Sequence, residues 1–364
     1  MDQIIMIACD LHDKTMLLKI ACGREAAETV SFPNSSAGRK RLIGDLTRRA
    51  QAVGGVEVIF AYEASGQGFG LYDELTEAGF TCYVLAPTKI ARSAQHRRRK
   101  TDEEDAEQIL QLLRGHVLAG NPLPSVWVPD LQTRDDRELV RTRQDLAEKI
   151  ALLKTQIQSL LKRNHLGRPD GLGKGWTRLF WAWLRGLAQD RTTSVGLRTM
   201  LASLLRQLDF YEREVKHLDT HELVELANSE RYLSQVQQLV RLSGVGVLTA
   251  LIFLTELGNL KRFTNRRQLS AYLGLAPSSH ESGEQSDRKG HITRQGPSRV
   301  RRVLCQAAWA RVRTEGPDRE AYERLKLKNP KRTKIAVVAI MRRLAVRMWH
   351  QAGRGQQQNA CQAV

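Results

Sequence analysis

The sequence predicts a mixed α/β domain, then a helical arm of coiled-coil character, then a mostly α-helical C-terminal domain. Three observations predict it. Short apolar runs at Ile4–Ala8 and Val56–Tyr62 each end at a carboxylate, Asp10 and Glu63, as buried strands do at a sheet end. Residues 131–164 hold helical periodicity and heavy charge without one Gly or Pro. Arg299–Val312 and Thr333–His350 are basic and amphipathic at helical spacing.

In order, Ile4–Ala8 reads as a central strand and Thr15–Ala21 as its hairpin partner, with His12-Asp13-Lys14 at the turn. Glu28–Phe32 suits a third strand, and Ser35-Ser36-Ala37-Gly38 opens a helix to about Ala52. Val56–Tyr62 is the next strand, Gly70–Gly79 a helix, and Thr81–Leu85 a strand closed by Pro87. From Asp102 a helix runs with Ala106, Ile109, Leu110 and Leu113 on one face. The segment Gly167–Gly175, with four glycines and a proline, breaks the arm before further helix over 198–240. Arg241–Ala250 has the glycine spacing of a helix-hairpin-helix turn, in which backbone amides of Gly244 and Gly246 approach a phosphate, and equally that of a plain tight turn between helices. Residues 276–298 read as loop and the tail after Ala352 as disordered. The expected domains are 1–125, 126–235, 236–350 and a tail at 351–364.

Composition narrows the function. Lys and Arg number 57 against 39 acidic residues, a net charge of +18, which draws polyanions. No apolar stretch is long enough for a membrane span, and the N-terminus lacks the pattern of a signal peptide, so a cytoplasmic protein is expected, associated with the nucleoid and with no membrane partner. The five cysteines form no C-x-x-C pair, which argues against a disulfide framework or a cysteine zinc site. His217 and His221 lie four apart without an evident third ligand, and zinc is set aside.

The chemistry points to acids. Asp10 and Glu63 end strands, while Asp102 and Asp105 share one helix face. Hard carboxylate oxygens gathered at one point suit Mg²⁺, with Mn²⁺ as the alternative, and two such ions stabilise the attacking and leaving oxygens of a phosphodiester. Asp-Glu-Asp-Asp on a strand, strand and helix is the ribonuclease H-like arrangement. A basic run precedes the acidic helix: Lys89, Arg92, His96, Arg97, Arg98, Arg99 and Lys100 suit phosphates near the cut. Trp176, Phe180, Trp181 and Trp183 interleave with Lys174, Arg178 and Arg185. They read as a helix burying its aromatic side rather than as a base-stacking surface.

Several segments together resemble the DEDD transposases of the insertion-sequence one-ten group, over about residues 3–347. They are Ala8-Cys9-Asp10-Leu11-His12-Asp13-Lys14, Tyr62-Glu63-Ala64-Ser65-Gly66 and Lys100-Thr101-Asp102-Glu103-Glu104-Asp105-Ala106. Further on come Leu242-Ser243-Gly244-Val245-Gly246, Glu256-Leu257-Gly258, Leu269–Pro277, Ser282-Gly283 and Gly290–Gly296. Ser243 stands where the family often has proline, and Pro297 where asparagine is usual.

The resemblance implies a RuvC-like N-terminal domain, a coiled-coil linker and a C-terminal transposase domain. It implies Mg²⁺ on the four acids and a serine nucleophile that forms a phosphoserine link to DNA. Ser282 best matches that position, with Ser278, Ser279 and Ser286 close by. It also implies a structured guide RNA, DNA substrates at element ends and target, and a homo-oligomer, dimer or tetramer. Arg294, Arg299, Arg301 and Arg302 are the C-terminal candidates for nucleic-acid contact. Two other readings stay open: a RuvC-like endonuclease that only hydrolyses, and a non-enzymatic nucleic-acid-binding scaffold.

Overall fold

The computed structural model describes residues 4–90, 101–279, 289–328 and 333–362. It divides into two compact units, Met1–Val128 and Pro129–Val364.

The first unit is built on a five-stranded sheet, in the order β3-β2-β1-β4-β5. β1 (Ile5–Leu11) pairs antiparallel with β2 (Thr15–Cys22), which pairs antiparallel with β3 (Glu28–Pro33). On its other side β1 runs parallel to β4 (Val58–Glu63), and β4 parallel to β5 (Thr81–Leu85). Central position explains the unbroken apolar run of β1: both faces are covered, so Ile5 through Cys9 are all buried. On one face Ile5, Ile7, Cys9, Val58, Phe60 and Tyr62 meet Leu42 and Leu46 of α1 (Ser36–Ala52) and Leu71 and Leu75 of α2 (Gly70–Glu77). On the other, Met6, Ala8, Ile59 and Ala61 meet Ile109, Leu110 and Leu113 of α3 (Asp102–Ala119). Side chains alternate across a strand, so the next residues of that second series are Asp10 and Glu63. The alternation that buries α3 also brings the strand-end acids to α3's side of the sheet.

Two helix starts follow local chemistry. The Ser35 hydroxyl accepts from the Gly38 amide at 3.1 Å, and the Thr101 hydroxyl accepts from the Glu104 amide at 3.3 Å. Thr101 therefore caps α3, and Asp102 through Asp105 fill its first turn, where acids suit the helix dipole.

The second unit is helical. α4 (Leu131–Arg163) is one unbroken helix whose first half places Val140 in the main core and whose second half carries Leu153, Ile157, Leu160 and Leu161 into a separate one. That separate core also takes Phe180 and Leu184 of α5 (Arg178–Gln189) and Leu201, Leu204, Leu205 and Leu208 of α6 (Val195–Thr220). α4 and α6 run antiparallel: Arg143 pairs with Asp219 at 2.7 Å, and Lys154 pairs with Glu212 at 2.8 Å. The helix expected over 198–240 is broken twice, giving α6, α7 (Glu222–Asn228) and α8 (Leu233–Val240).

The main core gathers α9 (Val247–Leu257), α10 (Arg266–Tyr272), α11 (Ser298–Arg313), α12 (Pro317–Lys328) and α13 (Thr333–Gln362) around α8 and the start of α4. The stretch 276–298, expected as loop, contains an antiparallel hairpin, β6 (Pro277–Ser279) with β7 (Lys289–Ile292). The expectation of a disordered tail from 351 is also corrected. α13 continues through Gln362. Ala352 is buried, and the Gly355 carbonyl accepts from the Ser234 hydroxyl at 2.9 Å, so α8 holds this turn in place.

A candidate metal and nucleic-acid site

The carboxylate site begins with Asp10. It stands at the C-terminal end of β1 with its side chain 16% exposed. Burial pushes its carboxyl above the usual range, and the negative charges of Asp102 and Asp105 push the same way, against the opposing pull of His12. Two residues on, at the turn into β2, the His12 Nε2 lies 3.0 Å from Asp10 Oδ2 and 3.3 Å from Asp102 Oδ1. Burial lowers the imidazole's proton affinity, but the two carboxylates outweigh it and the pKa is raised.

Ligand atoms of Asp10, His12 and Asp102 fall within 4.8 Å of one another, the one such grouping among the described residues. Asp105 lies one turn along α3 from Asp102, near enough to act on Asp10. Glu63 ends β4 beside Asp10, one step past the Cys9–Tyr62 pair in the parallel register.

His12 is the member that sequence reasoning assigned only to a turn. The visible signal was the D-x-H spacing, but its meaning depends on Asp102, ninety residues away. Asn34 braces the turn: its Nδ2 donates to the His12 carbonyl at 2.8 Å and to Gln67 Oε1 at 2.7 Å. Gln67 follows Glu63 in the loop after β4, so one amide links the two segments that carry Asp10 and Glu63. Arg39 donates to Asn34 Oδ1 at 3.0 Å and fixes the amide's orientation, itself held by Glu74.

The basic candidates divide. Lys89 is exposed at the end of a short turn, Pro87–Lys89. Arg92, Arg97, Arg98, Arg99 and Lys100 lie outside the described residues, as does Ser282, in the connection between β6 and β7. Of the neighbouring serines, Ser286 also lies outside them, and the Ser278 hydroxyl donates to the His291 carbonyl at 3.0 Å.

The C-terminal candidates have intrachain duties. Gly244 has φ +77°, and a Cβ there would stand 3.0 Å from the Ala307 carbonyl oxygen, so the turn packs closely against α11 at this residue. Gly246 is the residue before α9, with open space around it. Arg299 pairs with Asp145 at 2.7 Å, and Arg302 pairs with Glu148. Arg301 donates to the carbonyls of Leu273, Gln295 and Gly296. Those carbonyls belong to a crossing of two segments that only glycine permits. A Cβ on Gly274 would meet the Gln295 oxygen at 2.1 Å, and one on Gly296 the Tyr272 oxygen at 1.9 Å. Arg301 ties this crossing, which carries the foot of the β6–β7 hairpin. Arg294 stays exposed, with φ +56° and its amide donating to the Gly274 carbonyl.

Residues 236–323 match the model of the transposase IS116/IS110/IS902 family, and residues 10–165 match a second model described as a transposase. The chain belongs to the IS110 family of transposases. A putative transposase of Sinorhizobium fredii is 33% identical over 276 residues, which cover 76% of this chain and 63% of that protein. A second from the same organism is 28% identical, covering 80% and 75%. A transposase for an insertion sequence element of Leptospira borgpetersenii is 26% identical, covering 70% of each. The match over 10–165 begins at Asp10 and ends within the turn after α4, so it takes in the whole carboxylate site. The match over 236–323 takes in the glycine crossing and the β6–β7 hairpin. No helix among the described residues is long and apolar enough to cross a membrane.

Proposed function

We propose that this IS110-family chain is a DNA recombinase that cuts and rejoins the strands of an insertion element. The observation that carries the reading is the meeting of Asp10 and Asp102 around His12, with Asp105 and Glu63 on the same side of the sheet. The donors fit a hard divalent cation. All four acids offer oxygen, and Asp10 is pushed up first by burial and then by the charges of Asp102 and Asp105, both of which a bound cation would offset. Asp10, Glu63, Asp102 and Asp105 would hold Mg²⁺ or Mn²⁺, which would act as a Lewis acid on the scissile phosphate. His12 holds Asp10 and Asp102 together and is able to take up or give back a proton as they exchange partners.

Ser282 is the proposed nucleophile. Its oxygen attacks phosphorus, its proton passes to a basic group, and the strand's ester oxygen leaves and is protonated. One P–O ester bond forms as one breaks. A hydroxyl of a second strand then reverses the step, so rejoining needs no nucleotide hydrolysis. Serine needs activation for this, and in the proposed multimer the acids of another protomer would hold the cation that supplies it. Lys89, Arg92, Arg97, Arg98, Arg99 and Lys100 would hold phosphates near the acids. A structured guide RNA is the remaining proposed partner, resting on family resemblance. The domain order proposed is a catalytic domain, a coiled-coil arm and a serine-bearing domain, in a cytoplasmic protein that works on the nucleoid.

The test is denaturing electrophoresis of labelled element-end DNA incubated with Mg²⁺. Wild type should give a protease-sensitive covalent adduct. Ser282→Ala should bind DNA and give none, and Asp102→Asn should lose both adduct and cleavage. Cleaved DNA without adduct in wild type would replace recombination with hydrolysis.

A further inference from the structure

The charge of this chain is not spread evenly. Residues 149–206 carry eleven Lys and Arg against two acids, Asp170 and Asp190, so this outer part of the arm holds a net +9 of the chain's +18. The inner part is the reverse: residues 131–148 hold four basic and five acidic residues, and 207–222 hold two and five. The outer segment is one body, because the end of α4, α5 and the start of α6 share a core.

Within it, Lys154 and Arg185 have carboxylate partners, Glu212 and Asp209. Arg168 donates to the Gly175 carbonyl at 2.9 Å. Lys162, Arg163, Lys174, Arg178, Arg191 and Arg206 are all exposed and have no carboxylate partner among the described residues. α11 differs, since Arg299, Arg302 and Arg311 each meet an acid. Keeping six like charges on one small body opposes its own folding by repulsion, and an anionic partner removes that opposition.

The aromatic residues decide what kind of partner. A single strand is held by bases stacking on open rings. Here Phe180 is 1% exposed in the core, and Trp176, Trp181 and Trp183 pack against that core. Lys154 lies 5.3 Å from the centre of the Trp176 ring and Arg185 5.4 Å from that of Trp181. The rings are occupied and the cations are free, which suits a phosphate backbone with its bases stacked inside. At about 1.5 Å per residue, the 33 residues of α4 extend about 50 Å.

We propose that the outer end of the helical arm is a second nucleic-acid contact, one that grips the phosphates of duplex DNA by charge alone, without stacking and without reading bases. The inference rests on the reading of the chain as a DNA recombinase for its choice of DNA over duplex RNA.

The test compares full-length wild type with Lys162→Gln/Arg163→Gln/Lys174→Gln/Arg178→Gln. A control, Arg24→Gln/Lys40→Gln/Arg41→Gln/Arg48→Gln, removes the same charge from the first unit. Affinity for a mixed-sequence DNA duplex is measured by fluorescence anisotropy against salt in EDTA, so that no strand chemistry enters. The slope of log affinity on log salt should fall by about 3–4 in the arm variant, at about 0.9 per lost phosphate contact, and by clearly less in the control. Equal falls in both would overturn the proposal, because net charge rather than the arm would then account for binding. An unchanged slope in the arm variant would overturn it also. A loss confined to duplex RNA or to single-stranded DNA would do the same. Failure of the recombinase reading shows elsewhere, as wild-type protein that forms no adduct and cuts nothing in Mg²⁺.

Discussion

In the first unit, Asp10 is withdrawn from water at the end of β1, and its near neighbours are other acids and one imidazole, His12. In the second unit, two acids are more deeply buried, Glu256 at 5% and Asp318 at 3% side-chain exposure, and arginines surround both. Arg141 meets Glu256 at 2.8 Å, with Arg137 at 3.9 Å. Arg311, Arg347 and Arg343 converge on Asp318, joining α11, α12 and α13. Guanidinium is permanently charged and forked, so it satisfies a buried carboxylate for good. Imidazole changes charge near neutrality and leaves the acids available. A half-buried acid among other acids with only a histidine could hold an exchangeable cation; one enclosed by arginines holds helices together.

The largest expected effect separates these two kinds. Asp102→Asn should reduce Mg²⁺-dependent cleavage below detection while leaving the metal-free melting temperature equal or higher, because one repelling charge is gone. Asp318→Asn should do the opposite. Removing the carboxylate leaves three arginines crowded at a buried point, a loss of about 3–5 kcal/mol seen in denaturant unfolding. A folded, fully active Asp102→Asn, or an Asp318→Asn as stable as wild type, would mean that the two acids do not differ in kind.

A smaller effect concerns the cation itself. Mg²⁺ that binds the native site alone should stabilise wild type by about 2.7 kcal/mol at a hundredfold excess over its dissociation constant. Asp102→Asn should lose that gain, and Glu256→Gln, whatever its own stability, should keep it. Calorimetric melting with and without Mg²⁺ reads both.

The smallest effect lies at the start of α4. Burial pushes Asp130 up, but the Thr133 amide and hydroxyl and the Arg231 guanidinium outweigh it and hold its pKa down, at about 2. A depressed carboxyl stabilises the fold above its ordinary pKa, and the contribution fades as pH drops from about 3.8 toward 2. Asp130→Asn should therefore lower the melting temperature slightly at neutral pH and flatten its fall across that acid window. Parallel curves for mutant and wild type would mean that the cap and its arginine carry no linked stability.

Features that neighbours along the chain decide were legible from the amino acids alone. Continuous apolar runs set β1 and β4 with their terminal acids, Thr101 set the start of α3, and the absence of Gly and Pro over 131–164 set α4, because each depends on a few consecutive side chains. The DEDD spacing was likewise visible, and the family with it. Which charges are spoken for emerges when the chain folds. His12 gains its place from Asp102, Asn34 from Gln67, Gly244 from α11 and Gly274 from Gln295, and no local pattern announces a partner so far along the chain. The same limit hid the Asp318 cluster and left the arginines of α11 looking as free as those of the arm. Local propensity acts over one or two turns, whereas charge pairing acts through space, across distances in the chain that only folding closes.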